Sequence, residues 1–434
     1  MNFFVKIVSV KALEILDSRG NPTIQTSVIL DDGARGTAAV PSGASTGKYE
    51  AVELRDGDIK RYHGLGVLKA VENVESKISK EVIGLDAADQ EIIDRKMIDL
   101  DGMDNKGNLG ANAILSVSMA VARAAANSQK KELFDYLTKL NPDFDGKYIM
   151  PIPMMNVLNG GKHADWATDI QEYMIIPLSA ENISSAVRMC AEVYQALKKE
   201  IKSKGYSILV GDEGGFAPSV SSNEEPFVLL LEAIQKSGYK PGKDFTLGVD
   251  VASSEFYDNG KYILKREGKQ LSGQELSEFY SSLLSKYPII SIEDPFDQDD
   301  WKSYKEFYSS NKNVQIVGDD LYVTNTKRLK KGIDENASNS ILIKLNQIGT
   351  VSETVEAILL ARKNHMTSVI SHRSGETEDT FIADFAVAMG AGQIKTGAPA
   401  RSERTAKYNR LIEIESILGT RAKFPNFASL HRTF

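Results

Sequence analysis

Several things are scarce in the 434-residue chain, and each scarcity closes a class of explanation. There is one cysteine, Cys190, so no intrachain disulfide can form. A reducing, cytoplasmic setting is the matching expectation. There are five histidines, His63, His163, His365, His372 and His431, with no HExxH and no CxxC pair. The usual zinc patterns are therefore missing. Basic residues are in deficit: 52 Lys and Arg against 59 Asp and Glu leave a net charge of −7. Such a balance argues against nucleic acid as a direct ligand. It still permits a local basic pocket for a small anion. Long apolar runs are missing too. The uncharged stretch Leu109–Ala122 falls short of the roughly 20 residues that span a bilayer and reads as a buried helix. The opening residues, MNFFVKIVSVKALEILDSRG, interleave charges with apolar residues, unlike a signal peptide. No membrane insertion is expected. Low-complexity segments and close repeats do not occur.

What is present is enough for more than one domain. Strand-like runs FFVKIVSV, PTIQTSVIL and ARGTAAV precede the helical patterns GVLKAVENVESKI, DQEIIDRKMID and ANAILSVSMAVARAAANS. Strands first and helices after predict an α+β unit. The breakers Asn141-Pro142-Asp143-Phe144-Asp145-Gly146 mark a boundary, giving domains over 1–140 and 141–434. Beyond it, eight short β-rich runs alternate with helical stretches: PIPMMNVLN, QEYMIIP, FTLGVDV, PIISIEDP, VQIVGDD, SILIKLNQ, TSVISHR and GQIKTG. Eight such units predict a closed β/α barrel. The first two lie too close together for a crossover helix, so that pair is expected to be antiparallel. Ile208-Leu209-Val210 is expected to be an excursion rather than a strand. Two nucleotide-like glycine patterns fail. Gly43 to Lys48 is one residue short of a P-loop, and Gly64-Leu65-Gly66 has neither a third glycine nor a preceding strand.

Six polar residues close successive strands: Asp250, Glu293, Asp319, Lys344, His372 and Lys395, at spacings of 43, 26, 25, 28 and 23 residues. In a β/α barrel, those strand ends share the face that carries the active site. Three carboxylates converging there, with no cation between them, cannot all stay ionised unaided. A divalent cation resolves this, and all-oxygen ligation suits Mg²⁺. Asp250, Glu293 and Asp319 are the expected ligands, Asp319 being nearer its strand than Asp320. Lys344 and Lys395 share this rim, and a lysine beside a metal and a second lysine loses its proton more readily, so one of the two is expected to serve as a base. For Lys344 in particular, the alternative is that it pairs with one of the metal-site acids. His372-Arg373-Ser374 offers donors for a substrate anion.

The strings SHRSGETEDTFIADFAV, GQIKTGAPARSERTAKYNRL, GDEGGFAP, SIEDPF and VPSGASTGKYEA resemble the enolase family. The likeness runs from LDSRGNPT to RLIEIE, and the motifs are long and specific. It implies an N-terminal α+β capping domain with a mobile loop, followed by a modified TIM-type barrel of ββαα(βα)₆ order. It implies a bacterial-type carbon–oxygen lyase that interconverts 2-phospho-D-glycerate and phosphoenolpyruvate in glycolysis and gluconeogenesis. Lys344 matches the family's base and Glu213 its acid. Asp250, Glu293 and Asp319 match the ligands of a first Mg²⁺, and Ser45 a lid residue for a second that arrives with substrate. Arg373 and Ser374 match phosphate contacts and Lys395 a carboxylate contact. His163, Gln171, Glu172 and His372 match further pocket residues. A homodimer is implied, with octamers and a surface or secreted pool in some bacterial relatives. Two alternatives stand beside this: another lyase or racemase of the same superfamily, or an added binding or scaffold role. The segment 421–434, ending FPNFASLHRTF, carries no comparable match.

Overall fold

The computed structural model describes residues 4–44, 47–164 and 166–430, apart from the side chain of residue 163. Its N-terminal part is an antiparallel meander of three strands, Ile7–Leu16, Pro22–Leu30 and Arg35–Ala39, in the order of the chain. The helix Ala111–Ser128 packs on its inner face. That helix presents alanines toward the sheet, so backbone meets backbone. A Cβ on Gly36 would lie 2.1 Å from the Ala120 carbonyl oxygen, which is why this position has no side chain.

The barrel follows. Its strands neighbour one another in the order Ile152–Pro153, Gln393–Lys395, Thr367–Ser371, Ser340–Ile343, Gln315–Gly318, Ile289–Glu293, Phe245–Asp250, Glu172–Pro177 and Met155–Asn159. The first and last of these are separated only by Met154, whose N–H donates to the Ile394 carbonyl at 2.8 Å. The nine pieces therefore close into a ring. The strand Glu172–Pro177 runs antiparallel to both its neighbours, and the remaining pairs are parallel. The helices Ile183–Ser203 and Glu225–Lys236 both come after this reversed strand, which gives the ββαα opening. Leu209 is 76% exposed, and Val210 pairs only with Phe216. The run Ile208-Leu209-Val210 is thus a loop in which Ile208 alone leans on the core while its two neighbours are exposed.

Inside the ring, Ile152, Met154, Met174, Ile176, Val317, Leu342 and Val369 form one buried cluster, joined by Phe427 of the C-terminal turn Phe427–Leu430. The far C-terminal segment, silent in the sequence reading, so contributes to barrel packing. Among the described residues no helix is long and apolar enough to cross a membrane.

Asp94, on the helix Gln90–Asp101, ties the N-terminal part to the barrel. It accepts from the backbone N–H and hydroxyl of Ser352 at 3.0 and 2.7 Å, at the start of the helix Val351–Lys363, and from Gln90 Nε2 at 3.1 Å. Burial pushes its carboxyl up to about 6, against the pull of these hydrogen bonds. The folded chain keeps this proton up to about pH 6, whereas a free carboxyl with a value of 3.8 loses it sooner. Its contribution to stability is complete below the unfolded value and is lost as pH rises through the folded one. The stability of the parent relative to Asp94→Asn is therefore expected to fall by up to about 3 kcal/mol as pH rises from about 4 to about 6. Urea unfolding of both proteins at each pH reads this difference, and a flat difference refutes it.

Candidate active site

Register places the first acids. Glu172 pairs with Asp250, and Asp250 pairs with Glu293, across three adjacent strands. The reversed strand begins where its neighbour ends, so Gln171 and Glu172 join the same rim as the strand-end residues. Lys395 reaches into this group. Its Nζ lies 2.9 Å from Asp250 Oδ2, 2.8 Å from Glu293 Oε1 and 3.2 Å from Glu172 Oε2. All four residues are buried. The sequence reading had no cation between the carboxylates; the barrel brings Lys395 there from a strand far along the chain. One ammonium still serves three carboxylates. Burial first, then Glu213, drives the Glu172 carboxyl well above its usual range, and burial followed by Asp250 does the same to Glu293. Burial works against the Lys395 ammonium, yet the surrounding carboxylates raise its value well above normal. Glu293 Oε2 has no hydrogen-bond partner.

Asp319 sits beside this cluster. It accepts from Lys344 Nζ at 2.5 Å and from Gln347 Nε2 at 2.8 Å. Burial would raise its carboxyl, but Lys344 outweighs burial and holds it below the usual range. Lys344 differs from the expectation of an easily deprotonated amine. Burial disfavours its charge, yet Asp319 wins and holds the ammonium above its ordinary value. It is the partner of an acid.

Asp294 was missed by the sequence reading, and Asp320 was weighed there only as the alternative to Asp319. Asp294 Oδ1 accepts from the Asp319 N–H at 2.9 Å and from Tyr304 OH at 2.9 Å, and its Oδ2 accepts from the Asp320 N–H at 2.7 Å. It clamps the turn that carries Asp319. Burial, then Asp319, pushes Asp294 up to about 7, and burial with Asp294 drives Asp320 well above the carboxylate range. Oxygens of Asp294, Asp319 and Asp320 lie within 4.8 Å of one another. Among the described residues this is the set whose carboxylate oxygens converge closely enough for a hard divalent cation, whereas Asp250 and Glu293 are drawn to Lys395 and do not gather with Asp319 in that way. The set Asp250, Glu293 and Asp319 keeps an unpartnered oxygen on Glu293. Both oxygens of Asp294 are already committed to its turn. The doubled acids Glu293-Asp294 and Asp319-Asp320 were the available signal.

The other wall is built from loops. Glu213 accepts from Asn156 Nδ2 at 2.9 Å, and His372 Nε2 lies 3.5 Å from the same Oε2. Gly214 follows at φ +86°, with an added Cβ only 2.9 Å from the Ala400 carbonyl. The Arg373 guanidinium grips Glu50 through two bonds, at 2.9 and 3.2 Å, and Asn346 Oδ1 at 3.0 Å. Ser374 Oγ accepts from the Ala44 N–H at 2.6 Å. Glu50 was not foreseen, because nothing in its local pattern points 323 residues ahead.

Gln171, Glu172, Glu213, Asp250, Asp319, Lys344, His372, Arg373, Ser374 and Lys395 all line one cleft with about 30 Å³ of open space. Glu293 lies beside it, held to Lys395. Ser45 and the side chain of His163 lie outside the described residues. Chemically, the cleft offers two lysines, a tightly packed carboxyl pair, hard cation ligands and an Arg-Ser-His anion loop.

Two family models match the chain. Residues 7–137 match "Enolase, N-terminal domain" and residues 147–432 match "Enolase, C-terminal TIM barrel domain".

Removing one partner from a buried ion cluster typically costs about 3–5 kcal/mol. Lys395→Met is therefore expected to melt at a lower temperature than the parent in chelator. Added Mg²⁺ should raise the variant's melting temperature more than the parent's, because more carboxylate charge is left to neutralise. Equal responses to Mg²⁺ would show that the cluster has no such demand.

Proposed function

Because the chain belongs to the enolase family, we propose that it catalyses the reversible, Mg²⁺-dependent dehydration of 2-phospho-D-glycerate to phosphoenolpyruvate. The observation that carries this reading is the composition of one buried cleft. A lysine, a carboxyl pair and an excess of cation-seeking carboxylates face it together with Arg373 and Ser374. Residues 1–140 act as the cap and 141–434 as the catalytic barrel of a cytoplasmic homodimer.

The proton next to a carboxylate is weakly acidic, since its removal places a second negative charge on that group. Asp250, Glu293 and Asp319 would hold one Mg²⁺ and Ser45 would serve a second that arrives with substrate, and the ions would supply the positive charge that stabilises this state. The chain's own residues do the rest. Lys344, in its uncharged form, takes the proton from C2, so its bond to Asp319 opens before turnover. Glu213 gives a proton to the departing C3 hydroxyl. Its neighbour Glu172, driven well above the usual carboxylate range by burial and by Glu213, favours a proton on the pair. Arg373 and Ser374 take the phosphate, which requires their contacts with Glu50 and Ala44 to yield. Lys395 orients the substrate carboxylate, and Gln171, His163 and His372 complete the pocket. Closure of the cap over the cleft excludes water.

Purified protein given 2-phosphoglycerate and Mg²⁺ is expected to produce the ultraviolet absorbance of phosphoenolpyruvate, and chelator should abolish it. Lys344→Ala and Glu213→Gln are each expected to lower kcat by about 100-fold or more, the usual worth of one acid or base. Near-parental rates in both variants would overturn the assignment. Turnover of a non-phosphorylated hydroxy acid in place of 2-phosphoglycerate would indicate another lyase of the same superfamily.

A further inference from the structure

Arg404 is fully buried at the start of the helix Ser402–Leu418 and lies behind the cleft rather than in it. Its guanidinium donates to three carbonyls: Arg373 O at 2.6 Å, Ser374 O at 2.6 Å and Asp212 O at 3.1 Å. Two of these belong to the anion loop, and the third precedes Glu213. The fourth contact is to a ring. Arg404 NH1 lies 2.6 Å from His372 Nδ1. A guanidinium has donors only and no acceptor. At that distance Nδ1 must therefore be the acceptor, and the ring proton must sit on Nε2. Nε2 is the nitrogen that faces Glu213 Oε2, at 3.5 Å.

We propose that Arg404 is a positioning residue that fixes His372 as the neutral Nε2–H tautomer and so aims a hydrogen-bond donor at Glu213. This deepens the enolase reading above and rests on it for the role of Glu213. The consequence for the acid is specific. Asn156 Nδ2 already donates to Glu213 Oε2 at 2.9 Å. His372 Nε2–H faces the same atom at 3.5 Å without a hydrogen bond to it, so Oε2 has one bonded donor and a second donor beside it. A transferable proton on Glu213 is therefore placed on Oε1.

The charged groups that act on the ring are Glu213, Arg404 and Glu376. Burial is the largest influence and lowers its proton affinity to about 4, with Arg404 opposing the pull of the two carboxylates. A neutral ring agrees with the geometry. The fit around Arg404 is close: a Cβ on Gly397 would fall 2.7 Å from the Glu213 carbonyl and 2.9 Å from Arg404 Cδ. The same glycine thus lets the acid loop and the guanidinium approach each other.

The test reads the ring directly. Protein labelled with ¹⁵N-histidine has five imidazoles, and His372 is identified by the signals lost in His372→Gln. Long-range ¹H–¹⁵N correlation at neutral pH is expected to show an unprotonated Nδ1 and a protonated Nε2. A proton on Nδ1, or a charged ring, overturns the proposal. Arg404→Lys keeps a donor and should keep the tautomer, with kcat within about tenfold of the parent. Arg404→Met removes the donor and should change the tautomer, with kcat lower by about 100-fold, comparable to loss of one well-placed acid. A folded Arg404→Met protein with the parental tautomer and kcat also overturns it. If that variant does not fold, the spectrum of the parent still decides. The tautomer is read without substrate, whereas failure of the enolase reading would appear as absent turnover of 2-phosphoglycerate by the parent protein.

Discussion

One lysine holding three buried carboxylates apart is the constraint on which the site rests. Lys395 contacts Asp250, Glu293 and Glu172 within 3.2 Å. At an effective dielectric near 20, each like-charge pair a few ångströms apart costs about 4 kcal/mol. A flexible chain would relieve that by turning the acids outward. The barrel does not allow it, because neighbouring strands fix the three positions in register and the filled interior beneath fixes the strands. Glu172 and Glu293 respond by holding protons more tightly, and the lysine responds by holding its own. The site stores an unmet demand for positive charge, and its donors are hard oxygens of the kind that suit a small divalent cation.

A second consequence is that the cap and barrel are joined through the cleft itself. Arg373 pairs with Glu50, and Ser374 Oγ accepts from Ala44, so residues with anion chemistry are engaged by the N-terminal part. Other ties lie away from the cleft. Asp94 caps the helix beginning at Val351, Lys106 meets Glu353 at 2.9 Å, and Arg123 grips Asp379 through two bonds. These distant contacts join the N-terminal part to the barrel independently of those that join it at the cleft.

The architecture was readable in the sequence because it is written in local periods. Strand-end residues recur at intervals close to one βα unit, and the short link between the first two barrel strands required a reversed pair. What was not readable depends on pairings across the chain. Glu50 finds Arg373, Arg404 finds His372, and Lys395 finds Asp250 only once the ring closes. Asp294 was hidden for a different reason. It stands next to a strand-end acid and looks like its duplicate, but its carboxylate clamps the backbone of the following turn. Which acid Lys344 meets was likewise not specified by spacing, and the barrel brings it to Asp319.

Loops are usually the least exact part of a fold, yet this cleft is built largely from them. The resolution lies in where their carbonyls go. Buried backbone oxygens outside a ladder need donors. Here one helix face provides them: Arg404 takes the carbonyls of residues Arg373, Ser374 and Asp212, Lys407 takes that of Thr377, and Tyr408 takes that of Gly397. These residues recur at i, i+3 and i+4, so they share one face of the helix. All three are buried. The loops bearing His372, Arg373, Ser374 and Glu213 are therefore held by a regular element acting through side chains, as strands are held by their neighbours. Loss of one such donor strands several carbonyls together, so the anion loop and the acid loop are coupled through a helix that never enters the cleft.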